Sequence, residues 1–156
     1  MRLTQWTDYS LRVLMHCAMH RDRERPVTIT EVAEFHGISR SHLTKIVMTL
    51  ASLGYLETTR GRGGGLRLRM PPSQVTIGEI VRKTEADMTV VECFDPARNT
   101  CPVAGVCRLE SRIRQATARF LAELDATTLA DLVPPPRQDP APAGVPVPLR
   151  RGTRQA

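Results

Sequence analysis

Apolar residues recur as Leu11, Leu14, Met15 and Ala18 near the start of the chain. This i, i+3, i+4, i+7 spacing predicts an amphipathic helix over about 8–20, with Thr7 as its N-cap. After a linker at 21–27, Thr28-Ile29-Thr30-Glu31 has the form of a capping box, in which hydroxyl and carboxylate each take an orphan backbone N–H. The helix it opens should end near Gly37, a residue suited to a left-handed C′ position. A third helix starts at Ser39, carries Leu43, Ile46, Val47, Leu50 and Leu53 on one face, and stops at Gly54. The period then changes to two. Tyr55–Thr59 reads as a strand, 60–65 as a glycine-rich turn, and Leu66-Arg67-Leu68-Arg69 as a returning strand.

Beyond Pro71-Pro72, a second capping box at Thr76–Glu79 opens a short helix with Ile77, Ile80 and Val81 apolar. An irregular stretch runs to Cys107, followed by a helix from about 108 to 125. Its apolar positions, Leu109, Ile113, Ala116, Phe120 and Leu124, make one narrow stripe. Such a stripe suits a dimer seam, with packing on its own domain as the alternative. The expected class is mainly α with a small β-hairpin. A winged helix-turn-helix fills 1–75, a cysteine-bearing loop and dimerisation helices fill 76–133, and 134–156 is a disordered tail holding seven of the twelve prolines.

Charge sharpens this picture because it is uneven. The net charge is +6, yet residues 36–70 carry six basic groups against Glu57 alone. A local basic block points to a polyanion at one face. The polar face of the third helix is Ser39, Arg40, Ser41, His42, Thr44 and Lys45, the composition a recognition helix presents to a major groove. Thr28, at the preceding helix start, joins this candidate interface. In the hairpin, Arg60 and Arg62 are placed to enter a minor groove, and Arg67 lies on the returning strand. Gly63 and Gly64 let the tip approach a sugar-phosphate backbone. The glycine run is not a phosphate loop, since it lacks the Gly-Lys-Ser/Thr ending and precedes a strand. No apolar run is long enough for a membrane span and the start has no apolar signal core, so a cytoplasmic protein is expected.

Cys93, Cys101 and Cys107 lie within 15 residues, separated by seven and five residues and punctuated by Pro96, Pro102 and Gly105. Three thiolates in one loop suit zinc or an iron–sulfur cluster; short Cys-x-x-Cys knuckles typical of structural zinc are missing. Cys17 falls beside the apolar face of the first helix and reads as a core residue. No Ser/His/Asp set, catalytic carboxylate pair or nucleotide loop is visible, so an enzyme is not expected.

At this point a resemblance becomes visible. Met1-Arg2-Leu3-Thr4 with Thr7-Asp8-Tyr9, Ile38-Ser39-Arg40-Ser41-His42-Leu43, and Arg62-Gly63-Gly64-Gly65 resemble the NsrR/IscR superfamily of iron–sulfur winged-helix transcription regulators. The three-cysteine loop, with Phe120–Leu124 and Thr128–Leu132 after it, is most similar to the nitric-oxide-sensing, NsrR-type repressors. IscR-type members carry a histidine three residues after the last cysteine, where this chain has Glu110. The resemblance implies a homodimeric repressor that binds operator DNA through a cluster-dependent fold and is released by nitric oxide. It implies a 4Fe–4S cluster, with 2Fe–2S as the alternative, held by Cys93, Cys101, Cys107 and Asp8 of the other subunit. Glu110 is the rival fourth ligand, ahead of His16 and a solvent molecule. An IscR-like sensor of iron–sulfur or redox status, or a zinc-stabilised DNA-binding regulator, is the alternative function.

Overall fold

The computed structural model describes residues 2–133; the tail expected at 134–156 lies outside the described residues. Helix α1 spans Gln5–Met19, one turn earlier than its apolar spacing predicts. Its N-cap is Thr4 rather than Thr7, and the Thr4 hydroxyl accepts the Thr7 N–H at 3.3 Å. Thr7 itself is buried, and its hydroxyl donates to Thr84 Oγ1 at 2.9 Å. The cap is fixed from outside as well, because the Glu85 carboxylate accepts the Thr4 N–H at 2.7 Å. Asp8 consequently sits within the first turn.

Helices α2, Ile29–His36, and α3, Arg40–Ser52, form the helix-turn-helix. The capping box at Thr28 is complete. Glu31 Oε2 accepts the Thr28 N–H at 2.7 Å, and Thr28 Oγ1 accepts the Glu31 N–H at 3.1 Å. Gly37 takes the left-handed conformation expected of it, with φ 65°. Ser39 caps α3 by accepting the His42 N–H.

Strands β1, Leu56–Thr59, and β2, Gly65–Leu68, pair antiparallel, with Leu56 opposite Leu68 and Thr59 opposite Gly65. Gly61 and Gly63, with φ of 95° and 81°, turn the chain at the tip. The hairpin is anchored by Val27, whose N–H and C=O both bond to Leu66, at 3.2 and 2.7 Å. That approach requires Gly65, since a Cβ there would lie 2.5 Å from the Val27 oxygen.

Helix α4 covers Ile77–Thr84 and α5 covers Arg108–Ala126. The second capping box is only half formed. Thr76 accepts the Glu79 N–H, but the Glu79 carboxylate takes the Lys83 ammonium at 2.6 Å instead of returning to the backbone. Leu14, Leu43, Ile46, Leu50, Tyr55, Ile80 and Leu129 are fully buried in one core. Burying each aliphatic side chain of this size contributes about 1.5–3 kcal/mol. Leu129, beyond α5, closes the core by donating its N–H to the Val75 carbonyl at 2.8 Å. By contrast α5 has no buried residue. Leu124 packs against the core at one end, while Leu109 at the other is 65% exposed.

Candidate nucleic-acid interface and cysteine loop

The fold brings the expected basic residues to one side. Arg40, Ser41, Thr44 and Lys45 are exposed along α3, as are Arg60, Arg62 and Gly63 at the hairpin tip. Among the described residues, none of Arg40, Lys45, Arg60 and Arg62 forms an ion pair. A groove of about 570 Å³ runs between α3 and the hairpin, and Thr28, Arg40, Arg60 and Gly64 are among the residues that line it. Thr28 therefore borders the groove while its hydroxyl caps α2.

Two expected contact residues have other partners. His42 is half-buried, its ring edge-on to Tyr9 at 5.5 Å between centroids and tilted against Trp6 at 6.4 Å. Arg67 donates to the Arg23 carbonyl at 3.1 Å and to the Glu24 carbonyl, so its guanidinium braces the 21–27 linker against β2. The signal missed for His42 was its aromatic neighbours, which lie more than 30 residues away in sequence.

The cysteine loop is assembled on the first turns of α5. Cys93 lies in a short 3-10 turn, Glu92–Phe94, and Cys107 is the N-cap residue of α5. Arg114 lies over the Phe94 ring, 4.3 Å from its centroid, and its guanidinium donates to Glu110 at 2.8 Å. This stack holds the loop down on α5. The Thr100 hydroxyl donates to Glu92, and the Asn99 side chain accepts the Cys101 N–H at 3.0 Å. All three thiols are free and half-buried. The Cys93 thiol is pushed above the ordinary cysteine value by desolvation, then by the charge of Glu110 and of Cys101 and Cys107. These groups therefore share one neighbourhood.

Among the described residues, no three His, Cys, Asp or Glu side chains converge closely enough to hold an ion. Asp8 lies on α1, its carboxylate in a two-point pair with Arg12 at 2.9 and 3.1 Å. The structure thus carries Cys93, Cys101 and Cys107 on the segment that leads into α5, where Glu110 stands in the first turn, while the Asp8 carboxylate of the same chain is engaged by Arg12. In donor chemistry the loop fits an iron–sulfur cluster, which takes soft thiolates. Cys17 behaves as expected of a core residue: it is buried, and burial pushes its thiol up to about 12.

Comparison with known proteins agrees with this fold. The HTH-type transcriptional regulator NsrR of Bacillus subtilis is 50% identical over 133 residues, covering 85% of this chain and 90% of that protein. The HTH-type transcriptional repressor NsrR of Streptomyces coelicolor is 43% identical over 136 residues, covering 87% of this chain and 90% of that protein. Among solved structures, IscR of T. potens matches with TM-score 0.67 at 23% identity, over 85% of each chain. CymR, the global cysteine regulator of B. subtilis, matches with TM-score 0.63 at 28% identity, over 85% of this chain and 95% of that one. These relatives are transcriptional regulators and not enzymes. Residues 3–135 match the Rrf2 family, described as iron-dependent transcriptional regulators, and the chain belongs to that family.

Proposed function

We propose that the chain is a homodimeric, cytoplasmic transcription repressor that binds operator DNA in its iron–sulfur-loaded state and is released by nitric oxide. The observation that carries the reading is the loop of three free, half-buried thiols fastened to α5 by the Phe94–Arg114–Glu110 stack. The exposed cations of α3 and the hairpin tip supply the DNA face, which neutralises phosphates on two neighbouring grooves. Dimerisation is supported by α5, a 19-residue helix with no buried residue in the single chain. Val106 and Leu109, 82% and 65% exposed at its start, continue that uncovered surface.

Cys93, Cys101 and Cys107 would hold the cluster, and Asp8 of the partner subunit would complete it. When bound, the cluster supplies ligand-exchangeable iron, the electrophilic centre that nitric oxide attacks. The carboxylate is a harder and weaker ligand for iron than a fourth thiolate, so Asp8 is the contact most easily surrendered. Arg12, four residues on, is placed to retain Asp8 once it is free. A hundredfold loss of operator occupancy requires a coupling of about 2.7 kcal/mol between the two sites.

One observation favours a second reading of the fourth ligand. Glu110 lies beside Cys93 in the same chain, where its charge bears on that thiol. Mixed dimers separate the two. One subunit carries Asp8→Ala and the other carries Cys93→Ala, Cys101→Ala and Cys107→Ala. Ligation by the partner subunit's Asp8 gives one native-like absorbance spectrum per dimer. Ligation within one chain by Asp8 gives only the altered spectrum of the Asp8→Ala homodimer. A native spectrum from that homodimer, with the defect appearing in Glu110→Ala, assigns Glu110.

A further inference from the structure

The groove between α3 and the hairpin contains a row that charge alone does not explain. Arg40, Thr44 and Met48 follow at i, i+4 and i+8 along the exposed side of α3, and all three line the groove. Arg40 is a cation. The next two positions present apolar groups. The Thr44 hydroxyl donates to the Arg40 carbonyl at 2.8 Å, so its only O–H is used within the helix, leaving an acceptor oxygen and the methyl for a ligand. Met48 is 68% exposed, although α3 buries Leu43, Ile46, Val47 and Leu50 one side away. The row is bordered by Arg40 at one end and by Arg60 on the hairpin across the groove. An apolar strip between two unpaired cations is matched by few ligands, and a duplex with phosphates on both sides and methyl groups on its floor is one of them.

In the major groove, thymine alone among the four bases carries a C5-methyl group, and apolar side chains distinguish it by contact. A methyl group offers no hydrogen bond and a thioether sulfur is only a weak acceptor, so neither matches the donor and acceptor patterns that set guanine, cytosine and adenine apart. Side chains at i and i+4 stand about 5–6 Å apart, and base pairs are stacked at about 3.4 Å. The long, flexible Met48 side chain spans the difference. Resting on the reading that α3 enters the major groove, we propose that Thr44 and Met48 determine specificity by packing on the C5-methyl groups of thymines at neighbouring base pairs. Arg40 and Arg60 neutralise the phosphates on either side. The recognised half-site is therefore thymine-bearing beneath the middle of α3.

Deoxyuridine substitution removes that methyl and nothing else. The full-length, iron-loaded protein first enriches its preferred duplex from a random-sequence DNA pool. Each thymine of that duplex is then replaced singly by deoxyuridine, and Kd is measured for the wild-type protein and for Met48→Ala. The expected result is one or two thymines per half-site at which substitution weakens wild-type binding about fourfold, equivalent to about 0.8 kcal/mol for one buried methyl. Met48→Ala should lose that sensitivity at one of them and keep the wild-type dependence of binding on salt. A protein that binds its enriched duplex with every deoxyuridine neutral overturns thymine reading alone. So does a Met48→Ala protein with an unchanged deoxyuridine profile. A protein that enriches no duplex overturns the DNA-binding reading beneath it.

Discussion

The ring of Tyr9 stands edge-on to that of His42, with centroids 5.5 Å apart and planes at 85°. Tyr9 follows Asp8 in the first turn of α1, and His42 lies in the first turn of α3. With the Trp6–His42 pair, this contact joins the start of α1, where the proposed ligand Asp8 lies, to the helix proposed to enter the major groove. On the proposed function, this contact is a route by which a change at Asp8 would reach α3. Aromatic pairs of this geometry contribute about 0.5–1.5 kcal/mol. Tyr9→Ala should accordingly weaken operator binding by the loaded protein roughly 2- to 13-fold while leaving its iron content unchanged. Fluorescence anisotropy with labelled operator and an iron assay on the same sample check both halves. Unchanged affinity would remove the Tyr9–His42 contact from the route.

Arg60 and Arg62 should act through phosphate charge. Replacing both by Ala should weaken binding to operator and to unrelated duplex alike, and flatten the dependence of affinity on salt by roughly one unit of slope per lost contact. Titrations between 50 and 200 mM salt measure this. A double variant with the wild-type slope would move the wing off the DNA.

Gly78 is where α4 meets the end of α5. A Cβ there would lie 2.0 Å from Asp125 Oδ1 and 2.9 Å from the Asp125 backbone nitrogen. The same carboxylate accepts a hydrogen bond from Arg82 at 2.6 Å. Gly78→Ala must therefore push α5 away from α4 or break that pair, at about 1–3 kcal/mol. Thermal unfolding should show a Tm several degrees lower. An unshifted Tm would mean that α5 is held elsewhere.

His16 is buried on α1 beside His20 and His36, and its pKa is lowered to about 4. Burial is the largest cause, followed by the charges of His20 and His36; Arg23 lowers it further and Glu31 opposes. The unfolded chain takes up this proton near pH 6.5, the folded protein only near 4. Its contribution to stability is complete above about pH 6.5 and lost progressively down to about pH 4, by about 3 kcal/mol. Urea unfolding at pH 7, 6 and 5 should show this slope, and His16→Gln should flatten it. An equal slope in the variant would assign the acid sensitivity to other groups.

The elements of the DNA face were legible in the sequence because their signals are local. The capping box at Thr28, the left-handed Gly37 and the change from helical to alternating period at Tyr55 each need only a few neighbouring residues. The start of α1 was misplaced because its cap depends on Glu85 and its buried Thr7 on Thr84, about 80 residues away. The half-formed cap at α4 failed for a nearer reason: Lys83, one turn on, competes for Glu79. The cysteine spacing marked out 93–107 as one segment, but nothing in it predicted the Arg114 stack on Phe94. Asp8 entered through family resemblance alone. Within one chain its carboxylate belongs to Arg12.

The central claim is that occupancy of the cysteine loop controls DNA binding, and one titration tests it most directly. Protein prepared without oxygen and loaded with iron and sulfide is titrated against its operator before and after nitric oxide, alongside protein stripped of iron. The account predicts a coloured dimer that binds tightly. Nitric oxide should bleach that colour and weaken binding about a hundredfold, the effect of a coupling near 2.7 kcal/mol. The stripped protein should bind as weakly as the treated one. Equal affinity in all three states would contradict the account, whatever the colour of the protein.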